Sequence, residues 1–153
     1  MTSVLDILAR GGVPYRLHQH QPLVSVDDYT GNTQFPVERM IKTLCFGAGS
    51  GWFLPVLRAL DRLDYAAAAR AAGVRRPDLR LADTTAFGNA TGWQPGGYAP
   101  FAVRADMRVV FDLRVLTLPI VFCGSGRADL TLEIATADLF ALVQAEFAQL
   151  AKP

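Results

Sequence analysis

Apolar and polar positions fall along this chain in runs that predict a series of short elements. Ser3 stands before Val4, Leu5 and Leu8, with Asp6 three positions on, the pattern of a capped helix that Gly11-Gly12 would close. A strand is expected from about Val13, where Tyr15, Leu17 and Gln19 alternate with Arg16, His18 and His20 and put both histidines on one face. Ser25 with Asp28 predicts another cap and a brief helix, ended by the Gly31-Asn32 turn and Pro36. Met40 to Phe46 reads as a strand that carries Lys42, and Met107 to Leu113, Pro119 to Cys123 and Leu130 to Ile134 read as further strands. Thr136 is placed as the cap of a final helix whose Leu139, Leu142, Val143, Phe147 and Leu150 form one apolar stripe. Between these, Leu54, Leu57, Leu60 and Leu63, followed by alanine-rich 66–72, have the spacing of one long helix closed by Gly73. Pro55 and the Gly49-Ser50-Gly51 turn speak against it.

Strands that mostly follow one another, with helices at the start, middle and end, predict an α+β domain. Its sheet would be mixed, largely antiparallel, curled around the core and flanked by helices. With 153 residues, 51% of them apolar, the chain fits one domain over residues 1–153 with a real core. No charged leader with a cleavage site is visible, and no apolar run approaches the roughly 20 residues of a membrane span, so a cytoplasmic protein without a membrane partner is expected. A net charge of +1 argues against coating long nucleic acids such as DNA, and leaves recognition of an RNA end open. Cys45 and Cys123 each lie in an apolar, strand-like stretch, which predicts buried, reduced thiols. His18-x-His20 could supply two metal ligands, but no third is evident, so neither a metal nor a cofactor is expected.

The most informative run is Thr91-Gly92-Trp93-Gln94-Pro95-Gly96-Gly97-Tyr98-Ala99-Pro100-Phe101. Three glycines and two prolines within eleven residues exclude a helix interior or a central strand, and predict a shaped loop whose backbone can approach a ligand. The run resembles the Thr-Gly, Gly-Gly and Pro stretch of the YbaK/ProX family, free-standing relatives of the prolyl-tRNA synthetase editing domain. Tyr15-Arg16-Leu17-His18-Gln19-His20, Lys42-Thr43-Leu44, Arg62-Leu63-Asp64, Val110-Phe111-Asp112, Gly124-Ser125-Gly126, Leu130-Thr131-Leu132-Glu133-Ile134 and Asp138-Leu139 match in the same order. The similarity runs from about Val4 to the last helix.

That resemblance implies the family's α+β fold, with a strand from about Trp52 to Arg58, a turn near Asp61 and a helix only from about Asp64. It implies hydrolysis of a mischarged aminoacyl-tRNA. Such an ester is already activated, so a positioned water, oxyanion stabilisation and a grip on the terminal adenosine suffice. No Gly-x-Ser-x-Gly elbow, His-Glu-x-x-His helix or phosphate-cradling loop is present. In the family's terms Lys42 would contact phosphate, ribose or the scissile carbonyl, while Gly96, Gly97 and Tyr98 would offer main-chain groups and Pro100 would fix the loop. Tyr15, His18, His20, Ser25 and Thr43 would line the amino-acid pocket, with the second glycine loop, Gly124, Ser125 and Gly126, beside it.

Two departures bear on substrate. Cys123-Gly124 stands where alanine-clearing members tend to carry His-Pro, and Ala99 stands where many place a hydroxyl before the proline. The motifs look closer to the cysteinyl-tRNA(Pro) deacylase branch, with alanine, serine and threonine left open. The partners implied are the aminoacyl-tRNA 3′ end and prolyl-tRNA synthetase. Two alternatives stand beside this reading: a non-catalytic module for tRNA ends or a synthetase on the same fold, and a small-ester hydrolase with Cys45 or Cys123 as nucleophile.

Overall fold

A computed structural model describes residues 2–23, 28 and 34–153, so the expected cap at Ser25 and the Gly31-Asn32 turn lie outside the described residues. Local signals place the elements. Ser3 Oγ accepts from the Asp6 N–H at 3.1 Å to start α1 (Val4–Gly11), and Gly12, with φ of 68°, ends it in the left-handed region. After β1 (Tyr15–Gln19) come β2 (Ile41–Thr43), β3 (Phe46–Ala48) and β4 (Gly51–Arg58). The leucine-spaced stretch therefore opens as a strand. The chain turns where Asp61 N donates to Arg58 O, and Asp64 caps α2 (Tyr65–Ala72) by accepting from Ala67 N at 3.1 Å.

Next come β5 (Leu79–Leu81), α3 (Thr84–Thr91), β6 (Met107–Asp112), β7 (Ile120–Gly124), β8 (Leu130–Ala135), α4 (Thr136–Val143) and β9 (Glu146–Ala148). Sequence reading did not anticipate β5 or α3. The composition of α3, three threonines with Gly88 and Asn89, is poor for a helix. Its ends are nonetheless marked by Asp83, which accepts from Ala86 N at 2.9 Å, and by Gly92 at φ 75°.

The expected strand from Met40 to Phe46 is two strands, and the cause is Pro55. β2 and β3 both pair antiparallel with β4 in one continuous register, Thr43 opposite Val56 and Phe46 opposite Phe53. Leu44 N donates to Pro55 O at 3.0 Å, but Pro55 has no N–H to return the bond, and the ladder lapses there.

The fold is the expected α+β arrangement of mixed, largely antiparallel strands with flanking helices, its strands divided between two sheets. A three-stranded antiparallel sheet has the order β1-β8-β7; a six-stranded mixed sheet has the order β5-β3-β4-β6-β9, with β2 also on β4. The parallel pairs are β4 with β6 and β6 with β9. Core residues sit on both faces of β4: Leu54 and Val56 pack with Leu8, Phe111, Val121, Leu132 and Leu139, while Phe53 and Leu57 pack with Ala68, Ala69 and Val110 beneath α2. A smaller cluster joins Leu23, Phe35, Met40, Ala59 and Phe122.

The last helix is shorter than its apolar stripe suggested. Ala135, not Thr136, holds the cap position, because β8 runs straight into α4 and Thr136 N donates to Pro119 O at 3.0 Å. Gln144, at φ 50°, then ends the helix, so Phe147 lies on β9 opposite Phe111 and Leu150 lies beyond it. Asp112, 1% exposed, anchors this tail: one carboxylate oxygen accepts from Leu150 N at 2.7 Å and Ala151 N at 2.8 Å, the other from Arg114 N at 2.9 Å. Asp112→Ala orphans three main-chain donors and is expected to lower stability by about 3 kcal/mol in urea unfolding, whereas a loss below about 1 kcal/mol would contradict the anchoring role.

Candidate functional site

A cavity of about 280 Å³ lies where the two sheets meet. One wall is Met40 to Leu44, along the outer edge of β2; another is Phe122, Cys123 and Gly124 of β7 with Thr131 of β8; Pro95, Gly96, Tyr98, Thr84 and Ala59 complete it. The bonds Leu44 N to Pro55 O and Ala59 N to Met40 O fix which groups face outwards. In an antiparallel ladder the bonded pairs recur every second residue, so Lys42 spends its main chain on Leu57 while Ile41 and Thr43 turn theirs away from β4.

Lys42 is half-buried in this wall. Burial holds its ammonium below the ordinary lysine value of 10.5; the Asp61 carboxylate opposes that shift and the Arg62 charge adds to it. Asp61 is already engaged by Arg58 at 2.8 Å and Arg114 at 3.4 Å, and among the described residues Lys42 makes no ion pair. The neighbouring Thr43 is 8% exposed, and its hydroxyl has no partner among the described residues. The site thus holds a cation and a hydroxyl that the fold leaves uncommitted, in a cavity that no described carboxylate lines.

The glycine loops are fastened to each other. Gly126 N donates to Gly97 O at 2.6 Å, Gln94 N to Gly126 O at 2.9 Å, and Ala128 N to Gln94 Oε1 at 3.0 Å. A Cβ on Gly97 would overlap the Arg127 carbonyl, and one on Gly124 would overlap the Tyr98 carbonyl. Gly96, at φ 86°, takes the conformation that lets the loop turn at the cavity wall. Tyr98 packs edge-on to Phe87 with centroids 5.0 Å apart, and burial raises its hydroxyl above the usual tyrosine value, with a smaller contribution from Cys45.

Of the residues singled out from sequence, Lys42, Thr43, Gly96, Tyr98 and Gly124 meet at this cavity. Gly97, Ser125 and Gly126 serve the loop-to-loop packing instead, Ser125 Oγ donating to Leu130 O at 2.6 Å. Ala99 and Pro100 are buried behind the loop, Ala99 in the main core. Tyr15 lies in a separate groove with Pro14, Arg16 and Ile120. His18 and His20 stand behind the cavity: His18 Nε2 is 2.7 Å from Glu133 Oε1, and both rings pack on Phe35. Ser25 lies outside the described residues.

Sequence reasoning missed Met40, Ala59, Thr84, Phe122 and Thr131. The available signal was Thr131, a small polar residue between Leu130 and Leu132 on a strand opposite the histidine strand. Among the described residues no group of three or more His, Cys, Asp or Glu could hold a metal, and no helix is long and apolar enough to cross a membrane. The thiol route fares poorly. Burial pushes Cys45 up to about 12 and Cys123 higher still, no histidine lines the cavity, and the thiols stay protonated near neutral pH.

Two variants test this geometry. Gly124→Ala should force the Tyr98 carbonyl away and cost about 2 kcal/mol or more, read by thermal unfolding; an unchanged midpoint would refute the close approach. Lys42→Met should be more stable than wild type at pH 7. Because the folded state lowers the lysine pKa, it disfavours the proton there. The wild type therefore regains stability as pH rises from the lowered value through 10.5, and the gap between the two proteins should narrow over that range. A gap that widens with pH would contradict the burial.

Comparison with known proteins agrees with the architecture. The hypothetical protein APE2540 superposes with a TM-score of 0.84 over 97% of this chain and 99% of its own, at 24% identity. A protein proposed to be a trans-editing enzyme for prolyl-tRNA synthetase gives 0.83 over 98% and 95%, at 22% identity. Proline–tRNA ligase of Xylella fastidiosa (strain M12) is 26% identical over 100 residues, 65% of this chain, and the match spans 17% of that enzyme's length. The family model for the aminoacyl-tRNA editing domain matches residues 20–142, and the chain belongs to that family.

Proposed function

We propose that this chain is a trans-editing deacylase, one editing domain over residues 1–153, which hydrolyses the ester of a mischarged tRNA in the cavity beside Lys42. The observation that carries the reading is the half-buried Lys42, without an ion pair among the described residues, on the wall of a mostly apolar cavity that Gly96 helps to close. An ammonium held in place without an ion pair among the described residues attracts the ester carbonyl and the negative charge that grows on its oxygen. The outward main chain of Thr43 offers a further donor and acceptor to the ester and the terminal adenosine, beside the turn that Gly96 makes at the cavity wall. No described side chain at the cavity is a strong base, so the attacking water draws on the substrate itself, through the ribose 2′-hydroxyl or the aminoacyl side chain.

A 280 Å³ space with Met40, Ala59, Phe122 and Cys123 among its walls suits a small side chain of low polarity. Cysteinyl-tRNA(Pro) is the leading substrate, with alanine, serine and threonine as competitors, prolyl-tRNA synthetase as the partner that supplies the tRNA, and the cytoplasm as the location. Release of amino acid from proline, cysteine, alanine, serine and threonine tRNAs, correctly and wrongly charged, tests this directly. Wild type is expected to clear one or two mischarged species, and Lys42→Ala to lose at least about 100-fold in rate, the scale on which an oxyanion donor acts. Hydrolysis of none of them would remove the catalytic claim and leave a binding module for tRNA ends.

A further inference from the structure

Thr131 is 1% exposed, lines the cavity, and has its hydroxyl oxygen 2.7 Å from His20 Nε2. The other ring nitrogen, Nδ1, lies 2.6 Å from the Gln21 carbonyl. A carbonyl only accepts, so in the neutral imidazole the proton sits on Nδ1 and Nε2 is an acceptor. The single hydrogen of the Thr131 hydroxyl is then donated to Nε2. Towards the cavity Thr131 Oγ1 keeps lone pairs alone. Phe35 packs edge-on to the imidazole, with centroids 5.3 Å apart, and holds the ring in this pose.

We propose that His20 is a positioning residue that, through Thr131, makes one point of the cavity wall a fixed hydrogen-bond acceptor for the α-amino group of the aminoacyl ester. The inference rests on the deacylase reading of the cavity. An amino group keeps N–H donors in either protonation state, and taking it from water into a mostly apolar cavity without an acceptor is costly. Carboxylates that would normally receive it are missing from the described lining. The uncommitted Thr43 hydroxyl can donate as readily as accept, so it does not select for an amine. Thr131 does, because its hydrogen is already given away.

Two non-hydrolysable probes read this without turnover: 3′-alanylamino-3′-deoxyadenosine and its propionylamino counterpart, which lacks only the amine. By calorimetry at pH 8, wild type and Thr131→Ser are expected to bind the amine probe about tenfold more tightly, the value of one good hydrogen bond, and Thr131→Val to prefer it less than about twofold. In ¹⁵N-histidine spectra at the same pH, His20 is expected as the Nδ1–H tautomer. Equal binding of the two probes by wild type, binding of neither, an undiminished preference in Thr131→Val, or a His20 ring protonated on Nε2 would each overturn the proposal. Failure of the deacylase reading looks different: the amine preference persists while no charged tRNA is hydrolysed.

Discussion

The N–H that Pro55 lacks, in the middle of the central strand, organises the site. β4 has core residues on both faces and pairs with β2, β3 and β6, so a gap in its ladder is felt across the larger sheet. Opposite Pro55 the partner strand divides without losing register, and its two halves meet different neighbours. β3 has its outer edge covered by β5, and Ala82 N takes up the Cys45 carbonyl at 3.1 Å. Among the described residues β2 has no strand alongside its outer edge beyond the bridge from Met40 to Phe122, and that edge becomes the cavity wall. A proline normally disqualifies a central strand, and here its missing donor faces Leu44, where the partner strand divides.

Around that wall two polar groups stand without a partner among the described residues. Arg58 and Arg114 hold Asp61, and Asp112 answers three main-chain donors, yet among the described residues Lys42 makes no ion pair and the Thr43 hydroxyl no hydrogen bond. Burying a lysine without a counter-charge works against stability, and stability given up at a cavity is the usual companion of binding and catalysis. The glycine loops are the opposite case: three hydrogen bonds and two approaches too close for a Cβ lock them together, so the Gly96 turn is presented by a rigid support.

Much of this was legible in the chain. Ser3 and Gly12 bounded the first helix, Asp64 and Gly73 the second, and Pro55 with the Gly49-Ser50-Gly51 turn pointed to the strand that the leucine spacing disguised. What escaped depended on tertiary context. Helix α3 has poor intrinsic propensity and gains its place by burying Phe87; the tail after Gln144 kept an apolar spacing while its backbone had already left the helix. Lys42, Gly96 and Gly124, picked out by motif, line one cavity in the structure. Ala99 and Pro100 sat in the same motif but support the loop from behind, and Thr131 stood in a matching strand motif while its place beside the cavity depends on the histidine across the sheet.

The central claim is that the cavity at the β2 edge receives the aminoacylated 3′ end. Backbone amide shifts of ¹⁵N-labelled protein, followed during titration with a non-hydrolysable aminoacyl-adenosine amide, test it most directly. The account predicts saturable shifts centred on Lys42, Thr43, Gly96, Gly124 and Thr131. Shifts confined to the separate groove at Tyr15, Arg16 and Ile120, or none that saturate, would contradict it.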